Sequence, residues 1–153
     1  MKKLFNCLKE HDLTISFAES MTGGKLSTLL TKNAGASKVF VGAIVAYSKQ
    51  VKERILNVDS ELIDKYSVVS KEIAHEMIVG LKSIINSDIY VTVTGNAGPS
   101  YDIGTKELEC FVEISYQDKV SQIHMQFKSG NRRKNINEVV KLINNKIIKM
   151  ICI

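Results

Sequence analysis

The chain is 153 residues long, 44% of them hydrophobic, with no tryptophan, one proline and a formal charge of +5. That is enough apolar material for one cored domain over residues 1–153 without metal or disulfide staples, and no apolar run reaches the length of a bilayer span. The expectation is a soluble, unprocessed, cytoplasmic protein with no membrane partner. The positive charge is local. Residues 128–153 hold seven basic residues against one acidic, a +6 that leaves the preceding 127 residues at −1. This fits the solvated face of a final helix better than a nucleic-acid surface, because no aromatic residues interleave with Lys128, Arg132, Arg133, Lys134, Lys141, Lys146 and Lys149. Cys7, Cys110 and Cys152 are odd in number and far apart, and His11, His75 and His124 lack metal-ligand spacing, so neither a disulfide framework nor a metal site is expected.

In chain order the pattern predicts a helix near Lys2–His11, a strand over Thr14–Ala18 and a helix from about Thr22 to Lys32. The turn-like Asn33–Ser37 follows, and then the run Val39–Tyr47, whose β-branched apolar residues read as a strand buried on both faces. Short helices are expected over Lys49–Leu56 and Ser60–Lys65. Ser70 caps a longer helix with Ala74, Met77, Ile78, Leu81, Ile84 and Ile85 at helical spacing. Beyond the strand Tyr90–Thr94 and a loop from Thr94 to Ile103, Glu107–Ser115 and Val120–Phe127 read as an antiparallel hairpin around Tyr116–Lys119. A last helix, Asn131–Met150, places Ile136, Val139, Val140, Ile143, Ile147 and Ile151 on one stripe. The alternation of strands and helices makes this an α/β chain.

Two segments carry chemistry. In Ile15–Gly24 an apolar strand runs into Ser20, Thr22, Gly23 and Gly24 at a helix entrance, where free N–H groups and the helix dipole stabilise an anion or oxyanion. Ser20 or Thr22 could equally be the ordinary N-cap of that helix. The second strand, Tyr90–Thr94, likewise opens into Gly95, Asn96, Ala97, Gly98 and Pro99, and two such strand ends suggest one shared site at the carboxyl edge of a sheet.

Six short motifs then recur in a known order. They are Ala18-Glu19-Ser20-Met21-Thr22-Gly23-Gly24, Gly35-Ala36-Ser37, Tyr47-Ser48-Lys49-Gln50-Val51-Lys52, Val69-Ser70, Thr94-Gly95-Asn96-Ala97-Gly98-Pro99 and Gly130-Asn131-Arg132. By these motifs the chain resembles, over nearly its whole length, the C-terminal domain of the competence/damage-inducible CinA family, the nicotinamide-nucleotide amidases. The resemblance implies a three-layer α/β/α sandwich with a mixed sheet and hydrolysis of the carboxamide of nicotinamide mononucleotide to nicotinic acid mononucleotide and ammonia. Such hydrolysis needs a nucleophile, a base and oxyanion donors but no cofactor.

From composition alone Lys52 is a solvated surface charge. The resemblance turns it into the base for Ser20, with Tyr47 positioning the pair and with N–H groups around Thr22, Gly23 and Gly24 holding the oxyanion. Ser48 is either a helix cap or a rival nucleophile. The loop Thr94, Gly95, Asn96, Ala97 and Gly98 would supply N–H groups and a hydroxyl to the phosphate and ribose, and Arg132 a forked charge from its own subunit or a partner's. The chain departs from the pattern at Met21 for a cysteine, at Asn96 for an apolar residue, at Ile136 for an arginine, and at Glu109-Cys110 for Gly-Thr. At that last position a carboxylate would repel a phosphate. The expected partners are a small nucleotide substrate and a second copy of the chain in a homo-oligomer. A non-catalytic nucleotide-binding module and, less favoured, a nucleic-acid-associated protein are the alternative functions.

Overall fold

The computed structural model describes residues 1–102 and 104–152. Five strands form one mixed sheet in the order β2-β1-β3-β4-β5: β1 (Ile15–Glu19), β2 (Phe40–Val45), β3 (Ile89–Gly95), β4 (Glu109–Tyr116) and β5 (Lys119–Gln126). β1 lies parallel to both β2 and β3, while β3, β4 and β5 run antiparallel in turn. Among the described residues, six α-helices cover the two faces: α1 (Lys2–Glu10), α2 (Lys25–Thr31), α3 (Lys49–Leu56), α4 (Ser60–Tyr66), α5 (Lys71–Ile84) and α6 (Arg132–Ile151). The three-layer α/β/α sandwich expected from the sequence is the fold observed.

The period-2 alternation of the strands sorts their side chains between two cores. Ile15, Phe17, Ile89, Val91 and Val93 join Leu4 and Leu8 of α1, Leu26 and Leu30 of α2, and Val139, Ile143 and Ile147 of α6 in one apolar cluster. Ala18 faces the other way, into a cluster with Leu56 of α3, Ile63 of α4, and Ile73, Met77 and Leu81 of α5. Thr92 and Thr94 share that face, and each donates its hydroxyl to a backbone carbonyl there, Thr92 to Ala74 at 2.8 Å and Thr94 to Val68 at 2.7 Å. These bonds satisfy buried polar groups that would otherwise cost stability. The same parity places Glu19 toward α2 and Ser20 toward α3.

Several expectations are corrected. Val39–Tyr47 is not buried on both faces: β2 is an edge strand, with Val41 and Val45 nearly half exposed, because only β1 pairs with it. α2 starts at Lys25 rather than Thr22, since Gly23 and Gly24 take left-handed backbone (φ 56° and 91°) and the turn they make delays the helix. Its N-cap is Gly24, so neither Ser20 nor Thr22 caps it. Ile84 lies at the exposed end of α5, half open to solvent, and is no part of the apolar stripe. The hairpin is as expected, closing through Gln117-Asp118 with Gln117 at φ 52°. Ile103, where the expected loop ends, lies outside the described residues.

α3 is held against α5 by a close backbone approach. A Cβ at Gly80 would sit 2.0 Å from the Leu56 carbonyl oxygen, so the two helices can pack at this distance only over a glycine. Gly80→Ala is expected to push α3 outward and to destabilise the fold by about 1–3 kcal/mol, read as a lowered thermal midpoint by circular dichroism. An unchanged midpoint would show that the contact is not tight in solution.

Candidate active site

β1 ends by handing its chain to a turn rather than directly to a helix. The Ser20 N–H still donates to the Val93 carbonyl at 3.0 Å, which keeps Ser20 in register with β3 while its side chain points to the α3 side. The job of capping α2 falls instead to Glu19. Its wholly buried carboxylate accepts from the N–H groups of Leu26 and Ser27, both at 3.0 Å, and from the Ser27 hydroxyl at 2.6 Å. A carboxylate here satisfies orphan donors and opposes the helix dipole. Sequence reading missed this role. The signal was a glutamate in an apolar strand, one residue before the serine and therefore facing the opposite side.

Lys52 lies on α3, whose start is fixed by the Ser48 hydroxyl accepting from the Val51 N–H at 3.2 Å. Its side chain is 2% exposed. Nζ donates to Ser20 Oγ at 2.9 Å and to the Ala46 carbonyl at 2.9 Å. Burial pulls its pKa from a lysine's ordinary 10.5 down to about 8, against a smaller opposing attraction from Asp102. The reading of Lys52 as a solvated surface charge therefore fails. Ser48 is spent as the α3 cap and is exposed, whereas Ser20 is the serine in contact with a lysine of depressed pKa.

The oxyanion donors differ in part from those expected. The Gly23 N–H is used inside the turn, donating to the Ser20 carbonyl at 3.0 Å, because the tight bend closes on itself there. Among the described residues, no hydrogen bond engages the N–H of Met21, Thr22 or Gly24, and the buried Thr22 hydroxyl has no partner. A buried unpartnered hydroxyl carries a desolvation penalty that a ligand atom would relieve.

The second loop is built mainly as scaffold. The buried Thr94 hydroxyl donates its proton to the Val68 carbonyl. Asn96 donates through Nδ2 to Thr105 Oγ1 at 2.7 Å, and its Oδ1 accepts from the Asp102 N–H at 3.1 Å, which pins the following loop. Gly95 packs where a Cβ would meet Cys110 Cβ and Met21 Sδ at 2.5 and 2.6 Å. The Ala97 carbonyl accepts from Asn135 Nδ2 at 2.9 Å, a tie from α6 that sequence reading did not find. Gly98, at φ 87°, offers its carbonyl to Arg132 Nη1 at 3.2 Å.

Arg132 also donates through Nη2 to the Tyr47 hydroxyl at 2.8 Å, so it reaches the site from within its own chain. Tyr47 is 59% exposed and stands at the mouth rather than between Ser20 and Lys52. A small hollow of about 110 Å³ lined by Ser20, Met21, Tyr47, Asn96, Asp102 and Arg132 adjoins a cleft of about 570 Å³ toward α4, with Tyr47 and Asp102 common to both. Asp102, unforeseen from sequence, sets a negative charge at this opening. Glu109 does not line the hollow. Its carboxylate lies 2.5 Å from His124 Nε2 on the β4–β5 hairpin, so the feared repulsion of a bound phosphate is directed elsewhere.

The depressed pKa of Lys52 has a stability consequence. The folded state holds this proton less tightly than the unfolded chain, so the cost is full below pH about 8 and is relieved as the pH rises from about 8 toward 10.5. Stability differences between wild type and Lys52→Met, measured by urea unfolding at a series of pH values, should therefore move in favour of wild type by roughly 2–3 kcal/mol over that window. A difference that is flat with pH would show that Lys52 titrates normally.

The chain is similar to known proteins in sequence and in fold. A CinA-like protein of Petrotoga mobilis is 52% identical over 97 residues, which are 63% of this chain and 24% of that protein. One from Thermotoga neapolitana is 41% identical over 126 residues, 82% of this chain and 30% of that protein. The chain thus spans a third or less of the length of these relatives. Among solved structures, a competence or damage-inducible protein from Enterobacter asburiae superposes with a TM-score of 0.89 at 28% identity, covering 98% of this chain and 94% of that one. The competence/damage inducible protein CihA of Agrobacterium tumefaciens gives 0.89 at 25% identity, covering 97% and 91%. The model of the CinA C-terminal domain matches residues 1–151, and with fold and motifs in agreement the chain belongs to the CinA C-terminal domain family.

Proposed function

We propose that this domain is a serine–lysine amidase that hydrolyses the carboxamide of nicotinamide mononucleotide to nicotinic acid mononucleotide and ammonia. The observation that carries the reaction class is the buried 2.9 Å contact between Lys52 Nζ and Ser20 Oγ at the carboxyl end of β1. The choice of substrate rests on the family resemblance, and Arg132 at the mouth of the hollow suits its phosphate.

In this reading the neutral Lys52 amine accepts the Ser20 hydroxyl proton as Oγ bonds to the carboxamide carbon. The resulting oxyanion is held by the N–H groups of Met21, Thr22 and Gly24, which no hydrogen bond engages among the described residues. The Lys52 ammonium then returns its proton to the nitrogen, the C–N bond breaks, and ammonia departs from an ester on Ser20. Water attacks that ester with its proton passing to Lys52, and the ester C–O bond breaks. The proton goes back to Oγ, which releases the acid. The Ala46 carbonyl orients Nζ throughout.

Ammonia release and nicotinic acid mononucleotide formation test this directly. Turnover in the intact protein should fall by about 10³-fold or more in Ser20→Ala and in Lys52→Ala, each checked for folding. Turnover that survives Ser20→Ala would move the nucleophile elsewhere, and nucleotide binding without turnover would leave a regulatory module. The rate should also climb with pH along a single ionisation near 8, since only the neutral amine acts as base. A limb near 6 would point instead to a histidine.

A further inference from the structure

The two ends of the described chain meet on the side of the sheet opposite the active site. α1 leads into the start of β1, whereas Ser20 follows its end, and α6 runs about 30 Å from Arg132 at the hollow to the residue that caps its far end, Cys152. There, Cys7 and His11, one helical turn apart at the end of α1, come up against Cys152. Cys7 Sγ lies 2.9 Å from Cys152 Sγ and 3.9 Å from His11 Nδ1, and one ligand atom from each residue lies within 4.8 Å of the others. Nothing in the amidase chemistry uses these residues.

We infer that Cys7, His11 and Cys152 form a binding site for a thiophilic divalent cation, of which Zn²⁺ is the natural occupant. Two sulfurs and an imidazole are the ligand set of zinc and not of magnesium or calcium, which take oxygen. Tetrahedral zinc, with Zn–S about 2.3 Å and Zn–N about 2.0–2.1 Å, holds its ligand atoms roughly 3.6–3.8 Å apart. The Cys7–His11 separation of 3.9 Å is within roughly 0.3 Å of that spacing. The two sulfurs must open by roughly 0.9 Å, which an exposed cap residue such as Cys152 can supply. The imidazole is free to turn to the metal: Nδ1 lies 2.9 Å from the Cys7 carbonyl, but the His11 backbone N–H also donates to that carbonyl at 3.2 Å, so releasing the ring leaves no orphaned acceptor. Three protein ligands leave the fourth position to water. The cation would clamp the end of α6 to α1, elements whose buried residues share one apolar cluster.

The test uses the tag-free chain, fully reduced with a phosphine. Titration of Zn²⁺ against a chromophoric chelator should show one ion bound per chain, and the thermal midpoint should rise with added Zn²⁺. Co²⁺ in its place should give intense sulfur-to-cobalt charge-transfer absorption. Cys152→Ser, an exposed change that leaves the core intact, should weaken binding by roughly tenfold or more and remove the thermal shift, and His11→Ala should alter the cobalt spectrum. The inference is overturned if the reduced protein takes up no Zn²⁺ in competition with the chelator, if Cys152→Ser binds as tightly as wild type, or if the thiols are found only as a Cys7–Cys152 disulfide whose reduction yields no metal affinity. Amidase turnover enters none of these readouts, so the two proposals stand or fall separately.

Discussion

The burial of one lysine amine organises the candidate site. An ammonium taken out of water is expensive, and among the described residues Lys52 has two hydrogen-bond partners to offset that cost, the Ser20 hydroxyl and the Ala46 carbonyl. Neither is a carboxylate. A carboxylate in contact would have held the lysine charged, whereas a hydroxyl and a carbonyl leave desolvation as the dominant influence and bring the amine within reach of neutrality near physiological pH. Asp102, an acidic group that acts on it, is exposed at the opening, where solvent weakens its pull.

The rest of the fold serves to bring that pair together and keep it dry. Strand parity gives adjacent residues of β1 opposite tasks, Glu19 capping α2 in one layer while Ser20 meets α3 in the other. Gly80 lets α5 approach α3, the helix that carries Lys52, closely at Leu56. The glycine-rich turn after β3 is fastened by Asn96 on one side and Asn135 on the other, which leaves Arg132 to close the circuit from α6 through Gly98 and Tyr47. A preorganised site of this kind needs little rearrangement when charge develops in it.

Polar residues at the strand ends, taken singly, were poorly legible. Thr94 reads as a ligand hydroxyl, and its proton goes to the Val68 carbonyl. Glu109 reads as a repulsive neighbour of a phosphate and is engaged by His124. In each case the side chain's partner is distant in sequence: 26 residues for Thr94, 15 for Glu109, 38 for the Asn135–Ala97 contact and 145 for Cys7 and Cys152. Local spacing carries no information about such pairings.

By itself the sequence determined the element order, the mixed α/β class, the hairpin, and the positions of Ser20, Lys52 and Arg132, because hydrophobic period, turn glycines and motif order are properties of neighbouring residues. Only the tertiary structure decided that β2 is an edge rather than a centre, that Glu19 rather than a hydroxyl caps α2, and that Lys52 is buried rather than solvated. The physical reason is common to all three. Burial, strand order and the partner of a polar group depend on which surfaces the packed layers cover, and that is fixed by contacts between segments that the chain itself keeps far apart.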